Sequence, residues 1–239
     1  MKDKITIAAL QQMKREGRKI VGVVVYDYQM AQIVDRAGVD LVSVGDSVGV
    51  NMWGHDGEHE VTLDQMLLAC KAVRRGVTRA LVSCDVPQTA DPVAAARVLV
   101  KDGGSDLVKI EAGAEVIGAI VDAGTAVWAQ LSKPDSPIDE LVRQAKLLEE
   151  AGASLIDFRH SGAVAGPAVV SAVSIPVIGG LGGGPWLDGR VRAVVNAIGY
   201  TAAALDDGAD RYVNVARTAL DAITTYAGDV RAGRQVRGK

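Results

Sequence analysis

Four times along the chain the same phrase returns at the end of a helical stretch: AGVDLVSV from residue 37, GGSDLVKI from 103, AGTAVWAQ from 123 and AGASLIDF from 151. Each sets a glycine where a helix must stop, because glycine enters the left-handed conformation of a C-terminal cap without strain, and then opens an apolar run. Seven such runs are clear: KIVGVVVYD (19–27), DLVSVGD (40–46), ALVSCD (80–85), DLVKIE (106–111), AVWAQL (126–131), SLIDFR (154–159) and IPVIGG (175–180). Their Val, Ile and Leu come in unbroken stretches, the pattern of strands covered on both faces. Between them VTLDQMLLACKAVRR, DPVAAARVLVK, AEVIGAIVDA and SPIDELVRQAKLLEEA space their apolar residues as helices do, several behind an Asp or Ser cap or an early proline.

This alternation predicts parallel strands joined by right-handed helical crossovers. With TAAAL (201–205) as an eighth strand, a chain of 239 residues fits a (β/α)8 TIM barrel better than an open doubly wound sheet, and no GxGxxG follows the first strand. One domain is expected over 1–239, with a helix before the barrel and a helical tail after it. GGLGGG (179–184) follows the seventh strand, where a barrel either binds a phosphate or closes a tight loop.

Charge narrows the partners. A net charge of -3, from 26 Lys+Arg and 29 Asp+Glu, with no basic block before the last ten residues, argues against nucleic acid or an anionic membrane surface. Small molecules and further copies of the chain are the expected partners. No segment approaches 18 unbroken apolar residues and the N-terminus lacks a signal-peptide core, so a cytoplasmic protein is expected. Cys70 and Cys84 have no CxxC spacing and are expected as reduced core thiols.

In a barrel the active site forms at the C-terminal strand ends. Those ends supply Asp27, Asp46 with Ser47, Asp85, Lys109 with Glu111, Gln130, and Arg159 with His160. Asp46, Asp85 and Glu111 come from three consecutive strands, and oxygen donors without cysteine suit a hard divalent cation, Mg2+ first and Mn2+ second. The competing reading is that each acid caps the helix that follows it. Lys109 and Glu111 are two residues apart on a strand and so share the inward face. Lys109 there either neutralises a metal-bound anion or an enolate oxygen, or pairs with Glu111. His55 and His59, in GHDGEHEVTL after the second strand, are expected as surface histidines, and Trp53, Trp128 and Trp186 as packing residues.

GDSVG (45–49), VTLDQM (61–66), KAVRRG (71–76), SCDVP (83–87), VKIE (108–111), IPVIGGLGGGPWLDGR (175–190) and YVNVARTALDAITTYAGDVRAG (212–233) together resemble ketopantoate hydroxymethyltransferase, a family of the phosphoenolpyruvate mutase/isocitrate lyase superfamily of barrels. The resemblance covers most of the chain and implies several roles. Asp46 and Asp85 bind Mg2+ with Glu111 completing the metal environment; Ser47 and Lys109 hold a 2-oxo acid; the chain assembles as a homo-oligomer, decameric in family members. Mg2+ chelated by the substrate's carboxylate and keto oxygen would stabilise an enolate, the intermediate for making or breaking a bond at the adjacent carbon.

Three positions depart from the pattern. The family ends its sixth strand in a glutamate resembling a general base; here that position is Arg159, which stays protonated and cannot accept a proton. The family's histidine near the end of the fifth strand is Gln130, and a glycine-rich segment after it is shortened to SKPDSP (132–137). Two readings follow. In one, carbon–carbon bond formation persists on another 2-oxo acid, with His160 or Asp157 as base. In the other, a lyase, decarboxylase or phosphonate-type mutase reaches the same enolate without a C–H base, and Arg159 clamps a second carboxylate or phosphoryl group of the substrate, with Gln130 among the expected substrate-binding residues. A plain Arg159–Asp157 ion pair and a non-catalytic scaffold binding a metal and an oxo acid complete the alternatives. Use of methylenetetrahydrofolate as one-carbon donor is an open question, since its side of the site is the altered one.

Overall fold

The computed structural model describes residues 3–131, 136–180 and 183–238. These divide into two compact units, Met1–Arg192 and Ala193–Lys239. The first carries eight parallel strands, β1 Ile20–Val25, β2 Leu41–Val44, β3 Leu81–Asp85, β4 Leu107–Ile110, β5 Val127–Gln130, β6 Leu155–Asp157, β7 Val177–Gly179 and β8 Gly189–Ala193, closed in sequence order into a barrel. Helix α1 (Ile7–Arg15) precedes the barrel, and α2 (Tyr28–Ala37), α3 (Leu63–Gly76), α4 (Pro92–Lys101), α5 (Ala114–Asp122), α6 (Ile138–Glu150) and α7 (Ala165–Ala172) make the crossovers.

Local chemistry sets the ends of these elements. Thr6, Asp27, Thr62 and Asp91 accept hydrogen bonds from the backbone N–H of the third residue of their helices, and Pro92 takes the first helical position of α4. Gly38, Gly104, Gly124 and Gly152 all have φ between 77 and 92°, so the recurring glycine phrase is a set of left-handed helix exits.

Strand register orders the barrel interior. Leu41 lies level with Leu81, while Asp85, Lys109, Trp128 and Leu155 follow one another across β3 to β6. Below them Leu10 and Met13 of α1 close the bottom against Ile20, Leu41, Leu81, Leu107 and Leu155. Each fully buried leucine contributes about 2 kcal/mol of apolar burial. One turn of register higher, Gln130 is level with Asp157. The interior therefore passes from hydrocarbon to charge within two layers.

The eighth strand is not the TAAAL segment, where Ala202–Leu205 forms a 3-10 turn instead. It is GRVRA at 189–193, in which Gly189 and Val191 are buried while Arg190 and Arg192 point outward. A strand covered on one face alternates, and a search for unbroken apolar runs passes over it. Gly189 is required at this seam: a β-carbon there would lie 2.4 Å from the Ile20 carbonyl oxygen.

The second unit contains α8 (Val194–Ala197), the 3-10 turn and α9 (Val215–Arg231). Asn214 caps α9 through Arg217 N–H and donates its own amide to the Ala204 carbonyl at 2.6 Å. Among the described residues no helix is long and apolar enough to cross a membrane.

Candidate active site

At the C-terminal ends of the strands a cleft of about 390 Å³ is lined by Asp46, Glu58, Asp85, Lys109, Glu111, Gln130 and Arg159, among others. That volume suits a small-molecule ligand.

The wall from β1 to β4 begins at Gly45, the residue between β2 and Asp46. A β-carbon there would meet Val24 Cγ1 at 2.8 Å and Ser47 Oγ at 2.9 Å, so glycine lets the chain bring Asp46 and Ser47 to the mouth. The Ser47 hydroxyl shares a hydrogen bond of 3.0 Å with the Tyr26 hydroxyl. Asn51 donates to Tyr26 Oη (3.2 Å) and to the Ser47 carbonyl (2.8 Å). Asn51 belongs to a π-helical turn, Gly49–Trp53, a rare element that often accompanies functional sites.

Lys109 lies 8% exposed at the centre. Its Nζ is 3.4 Å from Asp85 Oδ2 and 3.3 Å from Asp157 Oδ2, and 5.5 Å from the centroid of the Trp128 ring. Burial alone would depress its pKa, but Asp85 and Asp157 outweigh that and hold the ammonium above its ordinary value. The sequence offered Glu111 as an ion-pair partner for Lys109. Barrel register overturns that pairing: Asp85 stands level with Lys109 on the neighbouring strand, whereas Glu111 is two residues further up and accepts a hydrogen bond of 2.6 Å from Gln130.

The wall from β5 to β6 carries Gln130, Asp157 and Arg159. Asp157 is 1% exposed, and its Oδ2 accepts from Arg159 Nε at 3.2 Å while also facing Lys109. The Arg159–Asp157 ion pair is therefore present through Nε, and the half-buried Arg159 lines the cleft. His160 is exposed, has φ 52°, and is not among the residues lining the cleft. Asp27 takes the capping role, its Oδ1 accepting from Met30 N–H at 2.9 Å. Both Cys70 and Cys84 are buried and free. Residues 132–135 of SKPDSP and residues 181–182 of GGLGGG lie outside the described residues.

One charged residue of the cleft escaped the sequence reading. Glu58 sits in GHDGEHEVTL, where attention fell on the flanking histidines; the signal was an acid in the loop above the second strand end.

Electrostatics bears on the expected metal. Asp46 is pushed up to about 7 by its burial, then by the charges of Asp85 and Glu58, against the opposing pull of Lys109 and Arg159. The Asp85 Oδ1 atom is buried without a hydrogen-bond partner among the described residues. Two repelling carboxylates, one with an unsatisfied buried oxygen, fit a hard divalent cation that completes its shell with water and ligand oxygens. Among the described residues no three His, Cys, Asp or Glu side chains stand close enough to enclose a metal by themselves, and Glu111 is turned to Gln130.

The closed parallel barrel is similar in fold to solved members of the phosphoenolpyruvate mutase/isocitrate lyase superfamily. The chain is similar to a solved 2,3-dimethylmalate lyase of that superfamily, with a TM-score of 0.66 and 13% identity over 95% of this chain and 87% of the other. It is likewise similar to a phosphonopyruvate hydrolase solved with oxalate and Mg2+, with a TM-score of 0.66 and 14% identity over 96% of this chain and 88% of that one. Within this class the sequence is more specific. The family model for ketopantoate hydroxymethyltransferase matches residues 4–134 and 130–235. The 3-methyl-2-oxobutanoate hydroxymethyltransferase of Bacteroides thetaiotaomicron is 35% identical over 95% of this chain and 92% of its own. That of Salinibacter ruber is 35% identical over 95% of each. The chain belongs to the ketopantoate hydroxymethyltransferase family, a family of enzymes.

Proposed function

We propose that this enzyme makes a carbon–carbon bond at the carbon beside the carbonyl of a 2-oxo acid, by way of an enolate, on a substrate that carries a second anionic group. The observation behind this reading is the linked array Asp85–Lys109–Asp157–Arg159, which joins the wall that keeps the family's residues to the wall that does not. Asp46 and Asp85, with Glu111 behind them, would hold Mg2+, which when bound supplies Lewis-acid polarisation of the keto oxygen. The Mg2+ and oxalate with which the phosphonopyruvate hydrolase was solved support this choice of metal and of a 2-oxo acid-like ligand.

The chain's own groups do the rest. Lys109, kept charged by two carboxylates, sits where negative charge on the substrate oxygen needs a fixed cation, and needs no reorganisation to meet it. Ser47, oriented by Tyr26, offers a hydroxyl to the substrate carboxylate. Trp128, fully buried under Lys109, keeps water from below the reacting centre. Arg159, its Nε tied to Asp157, presents its other nitrogens to a second carboxylate or phosphoryl group. A second reading, carbon–carbon cleavage of a larger diacid, is favoured by that same arginine.

Incubation with Mg2+ and a panel of 2-oxo acids in D2O, followed by proton NMR, tests the reading: loss of the C3 proton signal that is abolished by Asp85→Ala is expected. Release of pyruvate or CO2 from a diacid without exchange would favour cleavage, and neither event across the panel would leave the scaffold reading. Assembly of identical chains, implied by the family, is tested by sedimentation velocity.

A further inference from the structure

Enolate formation needs a group to accept the C3 proton, and at the sixth strand end this chain has an arginine. The carboxylates around the cleft can be taken in turn. Asp46 and Asp85 form the cation-facing pair, and Asp157 is 1% exposed and engaged by both Lys109 and Arg159. Glu111 accepts from Gln130 at 2.6 Å. Glu58 differs from all of these: it lines the cleft, is exposed, and its side chain makes no hydrogen bond or ion pair among the described residues.

Its placement is fixed by the loop rather than by its own contacts. The Glu60 Oε1 atom accepts from Asp56 N–H at 2.9 Å and Gly57 N–H at 3.2 Å, and Val61 N–H donates to the Glu58 carbonyl at 3.1 Å. The backbone around residue 58 is thus clamped from both sides while the carboxylate stays free. Glu58 lines the same cleft as Asp46, Asp85, Lys109 and Arg159, and its charge bears on Asp46 after β2, on Arg159 after β6 and on Tyr26 after β1.

We propose that Glu58 is the proton acceptor of this enzyme, a role moved from the sixth strand to the loop after the second. The proposal rests on the 2-oxo acid reading above. The step balances within the site: a Glu58 carboxylate oxygen takes the C3 proton, the C3–H electron pair becomes the C2=C3 bond, and the carbonyl pair moves onto the oxygen beside Lys109. Exposure suits the role, because the acid so formed must return its proton to water or to a later intermediate.

The experiment compares wild type, Glu58→Gln, Glu58→Asp and Glu60→Gln in the D2O exchange assay, with thermal shift on adding Mg2+ as a second readout. Glu58→Gln should slow exchange by about 10²–10⁴-fold through kcat and leave the Mg2+ shift unchanged. Glu58→Asp should recover part of the rate. Exchange by Glu58→Gln within threefold of wild type would overturn the assignment while leaving the 2-oxo acid reading in place, and so would a loss of the Mg2+ shift together with the rate, which would make Glu58 a metal-side group. Equal damage from Glu60→Gln and Glu58→Gln would overturn it in favour of loop integrity. Absence of exchange in the wild type across the panel would overturn both readings at once.

Discussion

The two walls of the cleft follow opposite rules. On the β1–β4 side, Asp46, Asp85, Lys109 and Glu111, to which the family resemblance assigns metal and 2-oxo acid roles, line the cleft, and hydrogen bonds through Tyr26 and Asn51 brace the adjacent Ser47. On the β5–β6 side, an amide hydrogen bond from Gln130 and the Arg159–Asp157 ion pair occupy the positions where the resemblance implies proton-transfer residues. The two sides meet in Lys109, which divides itself almost equally between Asp85 and Asp157. What the contrast teaches is that the altered wall is not decayed. There a half-buried guanidinium and a buried carboxylate form an ion pair, and the same carboxylate oxygen also pairs with the lysine of the other wall.

Breaking the meeting point should have the largest effect. Lys109→Met leaves Asp85 and Asp157 buried without their shared cation and is expected to lose about 3–5 kcal/mol of stability in urea unfolding, with enolisation abolished. Arg159→Glu attacks the altered wall alone. It sets a carboxylate against Asp157 and removes the second-anion fork, so KM for a dianionic 2-oxo acid should rise about 10–100-fold, and less for a monoanion. Equal effects on the two substrates would remove the second-anion subsite from the comparison.

Asp46→Asn sharpens the retained side. A carboxyl raised from 3.8 to about 7 in the fold favours folding when protonated, and that advantage is present below the unfolded value and lost as pH rises through about 7. Without metal, the variant should therefore melt above wild type at pH 8 and close to it at pH 4. Added Mg2+ should reverse the order at pH 8 by stabilising the wild type alone. The smallest effect belongs to His160→Ala. An exposed side chain away from the cleft lining should leave exchange within twofold, and a greater loss would return His160 to the altered wall.

Much of the barrel could be read from residues 19 to 180, because strands buried on both faces announce themselves as apolar runs and the glycine exits mark where helices end. Where only one face is buried the signal fails, as in β8, whose arginines masked it. Strand ends gave the members of the cleft but not their partners. Lys109 and Glu111 are neighbours in sequence, while the shear of the barrel makes Asp85 the level neighbour, a relation that exists only once the sheet is closed. Glu58 lay beyond reach for another reason: a loop residue's position depends on the turns that return the chain, here the π-helical turn and the Glu60 clamp, and neither has a periodic signature.

The salt-linked trio of Lys109, Asp157 and Arg159 also restricts which sequences can neighbour this one. Exchanging Arg159 for an acid while Asp157 remains sets three carboxylates, Asp85 included, against a single lysine, and removing Asp157 first leaves Arg159 without its ion-pair partner while Lys109 keeps only Asp85. Either single step is expected to pass through a less stable protein, and a paired change avoids setting the new acid directly against Asp157. A route back to a glutamate at position 159 is therefore a two-residue move, and libraries aimed at exchanging the reaction of this barrel should vary positions 157 and 159 together.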